Sequence, residues 1–220
     1  MTTMPSILTP KGKTHLYGPP LHWQSYAGLE MVAAATSDGG NVIHLVDCDQ
    51  DGVLALRQFG AWEKIRERKT KGPHIHSINY RDITSSQQLV DKVLELLAPD
   101  NTPPVIIVRD VSRLVTPMSS TGQWLRWLPE VAYRVPSNIL TISHTGILGR
   151  DTLPARLFTA CWSLKDGHEN VGGRPTERYG ERINLVNDKT GQTIKLHGHN
   201  YPGGLAFDLY QEPHKKELVA

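Results

Sequence analysis

The chain is predicted to be α/β, a mostly parallel central sheet flanked by helices and continued by a C-terminal antiparallel extension. Two observations carry this. From Thr14 to Ile142 short apolar runs alternate with helical patterns, at connection lengths that suit parallel strands joined by crossover helices. From Leu157 the pattern changes to LFTACWSL, RINLVN, TIKLHGH and LAFDLY, short runs separated by the turn signals Asn187-Asp188 and Thr190-Gly191, which read as antiparallel strands. A length of 220 residues suits one sizeable core. The expected organisation is an N-terminal segment 1–13, a single domain 14–210 and a polar tail 211–220, frayed at its end.

Thr14 to Gly18 is the first expected strand. SYAGLEMVAAAT follows with strong helix formers, and NVIHLVD, residues 41–47, is a β-branched strand bounded by Gly39-Gly40 and an acidic cluster. His74 to Ile78 is the next strand. In ITSSQQLVDKVLELLAPD, Ser85 and Gln88 form a capping-box pattern, with Leu89, Val90, Val93, Leu94 and Leu97 on one helical face. Pro103-Pro104 introduces the buried strand Val105 to Val108. A Trp-rich helix from Thr121 to Arg134 is expected despite Pro129, and Ile139 to Ile142 is a strand.

The 24 basic and 22 acidic residues leave a formal charge of +2, so no global field advertises a nucleic-acid or membrane partner, and any basic surface is local. Cys48 and Cys161 lie in apolar runs, where a free thiol acts as a small buried hydrophobe, which favours a reducing compartment. No stretch approaches the roughly 20 apolar residues of a membrane span, and MTTMPSILTPKGK lacks an apolar signal core. The expectation is a soluble cytoplasmic protein.

The segment LYGPPLHWQSYAG, residues 16–28, lies between the first strand and the first helix, where a phosphate-binding loop belongs. Such a loop needs glycines so that backbone N–H groups wrap the phosphates, a Lys to reach them and a hydroxyl for magnesium. Counted from Gly18, Trp23 stands at the second glycine, Gln24 at the lysine, and Ser25 at the hydroxyl. An unrelated Pro-rich turn explains the segment equally well. Gly12-Lys13-Thr14 is a decoy, since Ile7 occupies the position of its first glycine. VIIVRDVSRL, residues 105–114, runs four β-branched residues toward Asp110, a carboxylate placed to hold magnesium through water or to cap the next turn. The next strand ends in His144-Thr145-Gly146.

This order of motifs resembles the RecA-like ATPase superfamily, and within it the hexameric branch of RepA-type replicative helicases and related phage ATPases. The resemblance spans residues 14 to 190. It implies Asp110 as the metal-holding carboxylate and His144 as the phosphate-sensing residue. It also implies Gly18, Gln24 and Ser25 as the remnant nucleotide loop, and Arg174 and Arg178 in RPTERYGER as residues reaching a neighbour's nucleotide. Arg113, Arg150 and Arg156 are implied as nucleic-acid contacts. The family's glutamate after the second strand is replaced by VDCDQDG, with Cys48 near its place, Asp47 or Asp49 beside it, and Asp49 able to substitute. Losing the lysine and the water-orienting carboxylate together removes most of phosphoryl-transfer catalysis.

The resemblance therefore implies a non-catalytic RecA-like subunit that requires no cofactor and assembles, as a ring or filament or with an active paralogue, around single-stranded nucleic acid in replication or recombination. The alternatives are an active ring ATPase or helicase using ATP and Mg2+ through an atypical loop, and an RNA-binding scaffold like the small Elongator subunits. His74 with His76, and His197 with His199, each share a strand face and supply two potential metal ligands per pair. Trp124 and Trp127 suit a core or subunit interface, and WEKIRERKTKG, residues 62–72, a solvated helix end.

Overall fold

The computed structural model describes residues 7–18, 23–36, 40–46, 57, 60–61, 63–64, 74–97, 104–108, 121–144, 158–166, 182–201 and 204–209. In chain order the elements are β1 (Lys13–Gly18), α1 (Trp23–Ala35), β2 (Asn41–Val46), β3 (His74–Asn79), α2 (Ser86–Leu96), β4 (Val105–Val108), α3 (Thr121–Arg134), β5 (Asn138–His144), β6 (Ala160–Asp166), β7 (Arg182–Asn187), β8 (Thr193–Tyr201) and β9 (Gly204–Leu209). All nine strands form one sheet in the order β3-β2-β4-β5-β1-β6-β7-β8-β9.

The pairings from β3 to β6 are parallel, and those from β6 to β9 are antiparallel. The expected extension thus begins one strand later than the change of pattern at Leu157. Strand β6 is parallel to β1 and antiparallel to β7, with Leu16 opposite Trp162 on one side and Trp162 opposite Asn187 on the other. A short alternating run has the same appearance in either pairing, so only the neighbour decides its direction.

Helices cover both faces. On one, Leu89, Val90 and Val93 of α2 and Leu128 and Val131 of α3 pack with Ile43, Leu45, Ile106, Val108 and Ile139. Leu94, expected on this apolar face, is 52 % exposed: five positions beyond Leu89 it has rotated about 140° away from it. The N-terminus of α2 is capped as the Ser85/Gln88 pattern predicts in one half only. The Ser85 hydroxyl accepts from the Gln88 N–H at 3.2 Å, but the Gln88 carbonyl reaches one residue further back and accepts from the Thr84 N–H at 2.8 Å. Helix α3 runs through Pro129 as expected, with Trp127 half-buried against this core.

On the other face α1 is buried on all sides, Ala27 through Ala33 without interruption. A helix buried all round needs cover opposite the sheet as well. The antiparallel strands supply it: they curl back so that Phe207 of β9 joins Leu29, Met31 and Val32 in the same core as Leu16, Leu140 and Leu164. One polar bond fixes the contact. Glu30, only 5 % exposed, accepts from the Phe207 N–H at 2.9 Å, and so satisfies a donor on the sheet's last strand.

Glu30→Leu removes the acceptor and strands that buried N–H, so unfolding stability should fall by about 1–3 kcal/mol, whereas Glu30→Gln keeps a carbonyl oxygen and should lose less. Urea unfolding of the three proteins checks the order; equal midpoints for the Leu and Gln variants would show that the bond does not hold β9 to α1.

Candidate functional site

The parallel strands present their C-terminal ends along one rim, and β5 lies between β1 and β4 there. Gly18, the last residue of β1, is level with His144, the last residue of β5, and Leu45 of β2 is level with Val108 at the end of β4. Crossovers that place consecutive strands on opposite sides of β1 open a crevice beside it, the usual ligand position of open α/β sheets.

Gly18 is confined by its neighbours. A Cβ at this position would lie 2.9 Å from the Leu164 Cβ of β6 and 3.2 Å from the Gln24 side-chain nitrogen, so Gly18 is demanded by packing whether or not a phosphate approaches it. Gln24, the second residue of α1, is 0 % exposed. The side chain at the lysine's place in the loop pattern is therefore neutral and turned under the end of β1. Ser25 is half-buried in the first turn of α1.

Of the other residues singled out in the sequence, the backbone of His144 is placed at the end of β5. Asp49, Asp110, Arg113, Arg150, Arg156, Arg174 and Arg178 lie outside the described residues, as does Cys48. By sequence Asp110 follows the end of β4 by two residues, and Asp49 the end of β2 by three. Cys161 is buried on β6.

A polar file crosses the sheet behind this rim. His15, 0 % exposed on β1, has Nδ1 2.7 Å from Thr141 Oγ1 and Nε2 3.1 Å from Ser143 Oγ, both on β5. The Thr141 hydroxyl also donates toward the Thr14 carbonyl at 3.4 Å. The imidazole stacks between Tyr17 and Phe158, and the Tyr17 hydroxyl donates to Asp188 at 2.6 Å, which also accepts from Ser163 on β6 at 3.0 Å. The side chains of β5, β1 and β6 and the β7–β8 turn are thereby tied in one line. Sequence reading missed this file. The signal was available: Thr141 and Ser143 alternate on a strand whose other face is apolar, as do His15 and Tyr17.

The histidine pairs are placed as expected on strand faces. The rings of His197 and His199 are 4.5 Å apart between centroids, with His199 Nε2 3.3 Å from Asp208 Oδ2. Burial, and then the neighbouring His74, lower His76 below the ordinary histidine range. Among the described residues no three His, Cys, Asp or Glu side chains form a group able to hold a metal ion.

No protein-family model matches the chain, and no curated protein sequence matches it. Solved structures do. The ATPase domain of G40P superposes with a TM-score of 0.60 at 9 % identity, over 90 % of this chain and 85 % of that one. A DnaB-like replicative helicase, described with its interactions with primase, gives 0.61 at 11 % identity over 90 % of this chain, which spans 58 % of the helicase's length. A KaiC-like protein from the hyperthermophilic archaeon Pyrococcus horikoshii OT3 gives 0.57 at 10 % identity, over 94 % of this chain and 97 % of that one. The fold is RecA-like. Within this RecA-like sheet, the junction of β1 and α1 and the ends of β4 and β5 share the rim that holds Gly18 and Gln24.

The confinement of Gly18 gives a measurable outcome. Gly18→Ala forces a methyl against the root of the Leu164 side chain rather than its flexible tip, and should cost about 1–3 kcal/mol of unfolding stability without any nucleotide present. Thermal and urea unfolding test this; an unchanged midpoint would show that the space at Gly18 serves something other than packing.

Proposed function

We propose that the chain is a catalytically degenerate RecA-like subunit that assembles with itself or with an active paralogue and binds single-stranded nucleic acid in DNA replication or recombination. The observation that carries the reading is Gln24, neutral and fully buried at the position where the loop pattern needs a lysine reaching phosphate. Around it the pattern is further depleted: Trp23 replaces the second glycine, and Asp49 is the nearest carboxylate to the missing glutamate. With positioning and charge stabilisation both weakened, little phosphoryl-transfer catalysis is left to the site. The replicative context is that of one of the structural neighbours, a DnaB-like replicative helicase, and the ATPase context that of the G40P domain.

In this reading Asp110 and His144 are vestiges of the metal-holding and phosphate-sensing groups. Arg174 and Arg178 face a neighbouring subunit, which closes rings or extends filaments. Arg113, Arg150 and Arg156 follow the ends of β4 and β5 in sequence. Three cations per subunit matter little alone, but repeated around an assembly they line a path for a phosphate backbone.

Calorimetric titration with Mg-ATP should show no micromolar binding, and the purified protein should not hydrolyse ATP appreciably. Trp23→Gly with Gln24→Lys should improve binding before turnover, because the glutamate is still missing. Tight binding by the unaltered chain would instead favour an active ATPase with an atypical loop.

Binding of a labelled single-stranded oligonucleotide, followed by fluorescence anisotropy, should be weak, steeply salt-dependent and reduced by Arg150→Ala with Arg156→Ala, but hardly by Lys64→Ala. If the double arginine variant binds as well as the parent, those loops are not the contact.

A further inference from the structure

At the opposite rim of the sheet, where β1, β5 and β6 begin, lies a groove of about 450 Å³. One wall is the turn leading into β1, with Lys11 and Lys13. The other is the end of α3 and the residues after it, with Pro129, Tyr133 and Pro136, and Thr159 lies at the start of β6. Among the described residues no carboxylate lines it; Glu130 is exposed on α3 but outside the lining.

Two features set this groove apart from ordinary surface. Tyr133 is 88 % exposed, against the half-buried state usual for an amphipathic ring, so its face is free for stacking. The lysine wall is built rigidly. Lys11 holds the left-handed backbone conformation at φ 52°, rare for a side chain of this kind, and its N–H donates to the Asn138 side-chain oxygen at 2.9 Å. The Gly12 N–H donates to the Thr9 carbonyl at 2.9 Å, and a Cβ at Gly12 would meet the Thr9 side chain at 2.7 Å. The Lys13 N–H donates to the Thr159 hydroxyl at 3.2 Å. Two ammonium groups are thus offered from a fixed turn beside an exposed aromatic ring. Burial lowers Lys13 below the ordinary lysine range, so the cation is under-solvated and gains by meeting an anion.

We propose that this groove is a second nucleic-acid site, in which Lys11 and Lys13 hold the phosphates of a single strand while a base stacks on Tyr133. Cations beside a bare aromatic face are the elements that single-strand binding uses: charge for the backbone, a ring for each base, and no sequence readout. An acidic peptide would use the lysines but leave the ring idle. The β1 strand, at roughly 3.3 Å per residue, separates the two rims by about 20 Å, so this contact is independent of the arginine loops at the other end. It therefore stands or falls apart from the function proposed above.

The test is anisotropy with fluorescein-labelled oligothymidylate and the full chain. Tyr133→Ala should weaken binding by about 5- to 150-fold, the range expected for one stacked base. Lys11→Gln with Lys13→Gln should flatten the log–log salt dependence by about 1.4, as for two lost phosphate contacts on a single strand. Tyr133 is so exposed that its variant should keep the parent's urea midpoint, which confirms folding. A polyglutamate competitor should displace the oligonucleotide far less than unlabelled oligothymidylate. Parental affinity and salt slope in both variants would overturn the proposal even if the Arg150/Arg156 variant loses binding, and equal displacement by polyglutamate would make the groove an acidic-peptide site. Loss in the groove variants with none in the arginine variant would support this site and remove the loop assignment instead.

Discussion

Strand β1 is hydrogen-bonded on both sides by parallel strands, and neither neighbour is next to it in the chain: β5 and β6 arrive more than a hundred residues later. Everything at the phosphate-loop rim depends on that double pairing. It sets Gly18 level with His144 on one side and places Leu164 of β6 against Gly18 on the other. It also buries Thr14, His15 and Leu16 in succession, and the first two are polar residues that must find partners away from water. Thr141 and Ser143 of β5 supply those of His15, and the Thr14 hydroxyl accepts from the Thr9 N–H, so the hydrogen bonds that offset burying the imidazole also hold β1 in register with β5.

Much of the architecture was legible because it is written in local periodicity. The β-branched runs of β2 and β4 are buried along their whole length, as strands of a doubly covered parallel sheet must be. The Ser85 cap and the Leu89, Val90, Val93 stripe identify α2 from a few residues. What escaped sequence reading involves partners distant in the chain. The direction of β6 is set by β1, and the burial of Glu30 by a strand that begins at Gly204. Leu94 shows the same limit in reverse. It is apolar and near the stripe, but nothing packs over its side of the helix. At the candidate site, the spacing from Gly18 singled out Gln24 and Ser25, while the inward turn of Gln24 follows only from the packing of α1 on the sheet.

A buried Gln24 and a confined Gly18 describe a β1–α1 junction whose side chains serve the interior. In a phosphate loop, space around the first glycine is used for close approach of a ligand to backbone N–H groups. Here that space on the β6 side is filled by Leu164. The rim has the crevice geometry of its fold while the groups nearest β1 are packed as core. The far rim shows the contrary combination, with Tyr133 left in solvent beside two cations on a stiffened turn. Chemistry and fold are thus separable along a single strand, as expected when sites are grafted onto a common scaffold.

The bond between Glu30 and the Phe207 N–H also bears on how copies of the sheet can meet. A strand added along β9 would have to displace an internal carboxylate and peel the strand from α1, whereas β3 at the opposite margin carries exposed residues at His74 and Ser77. The sheet behaves as a strip with one finished border. Edge pairing is thus opposed along β9, so that among the described residues the two borders of the sheet are unequal before any second subunit arrives.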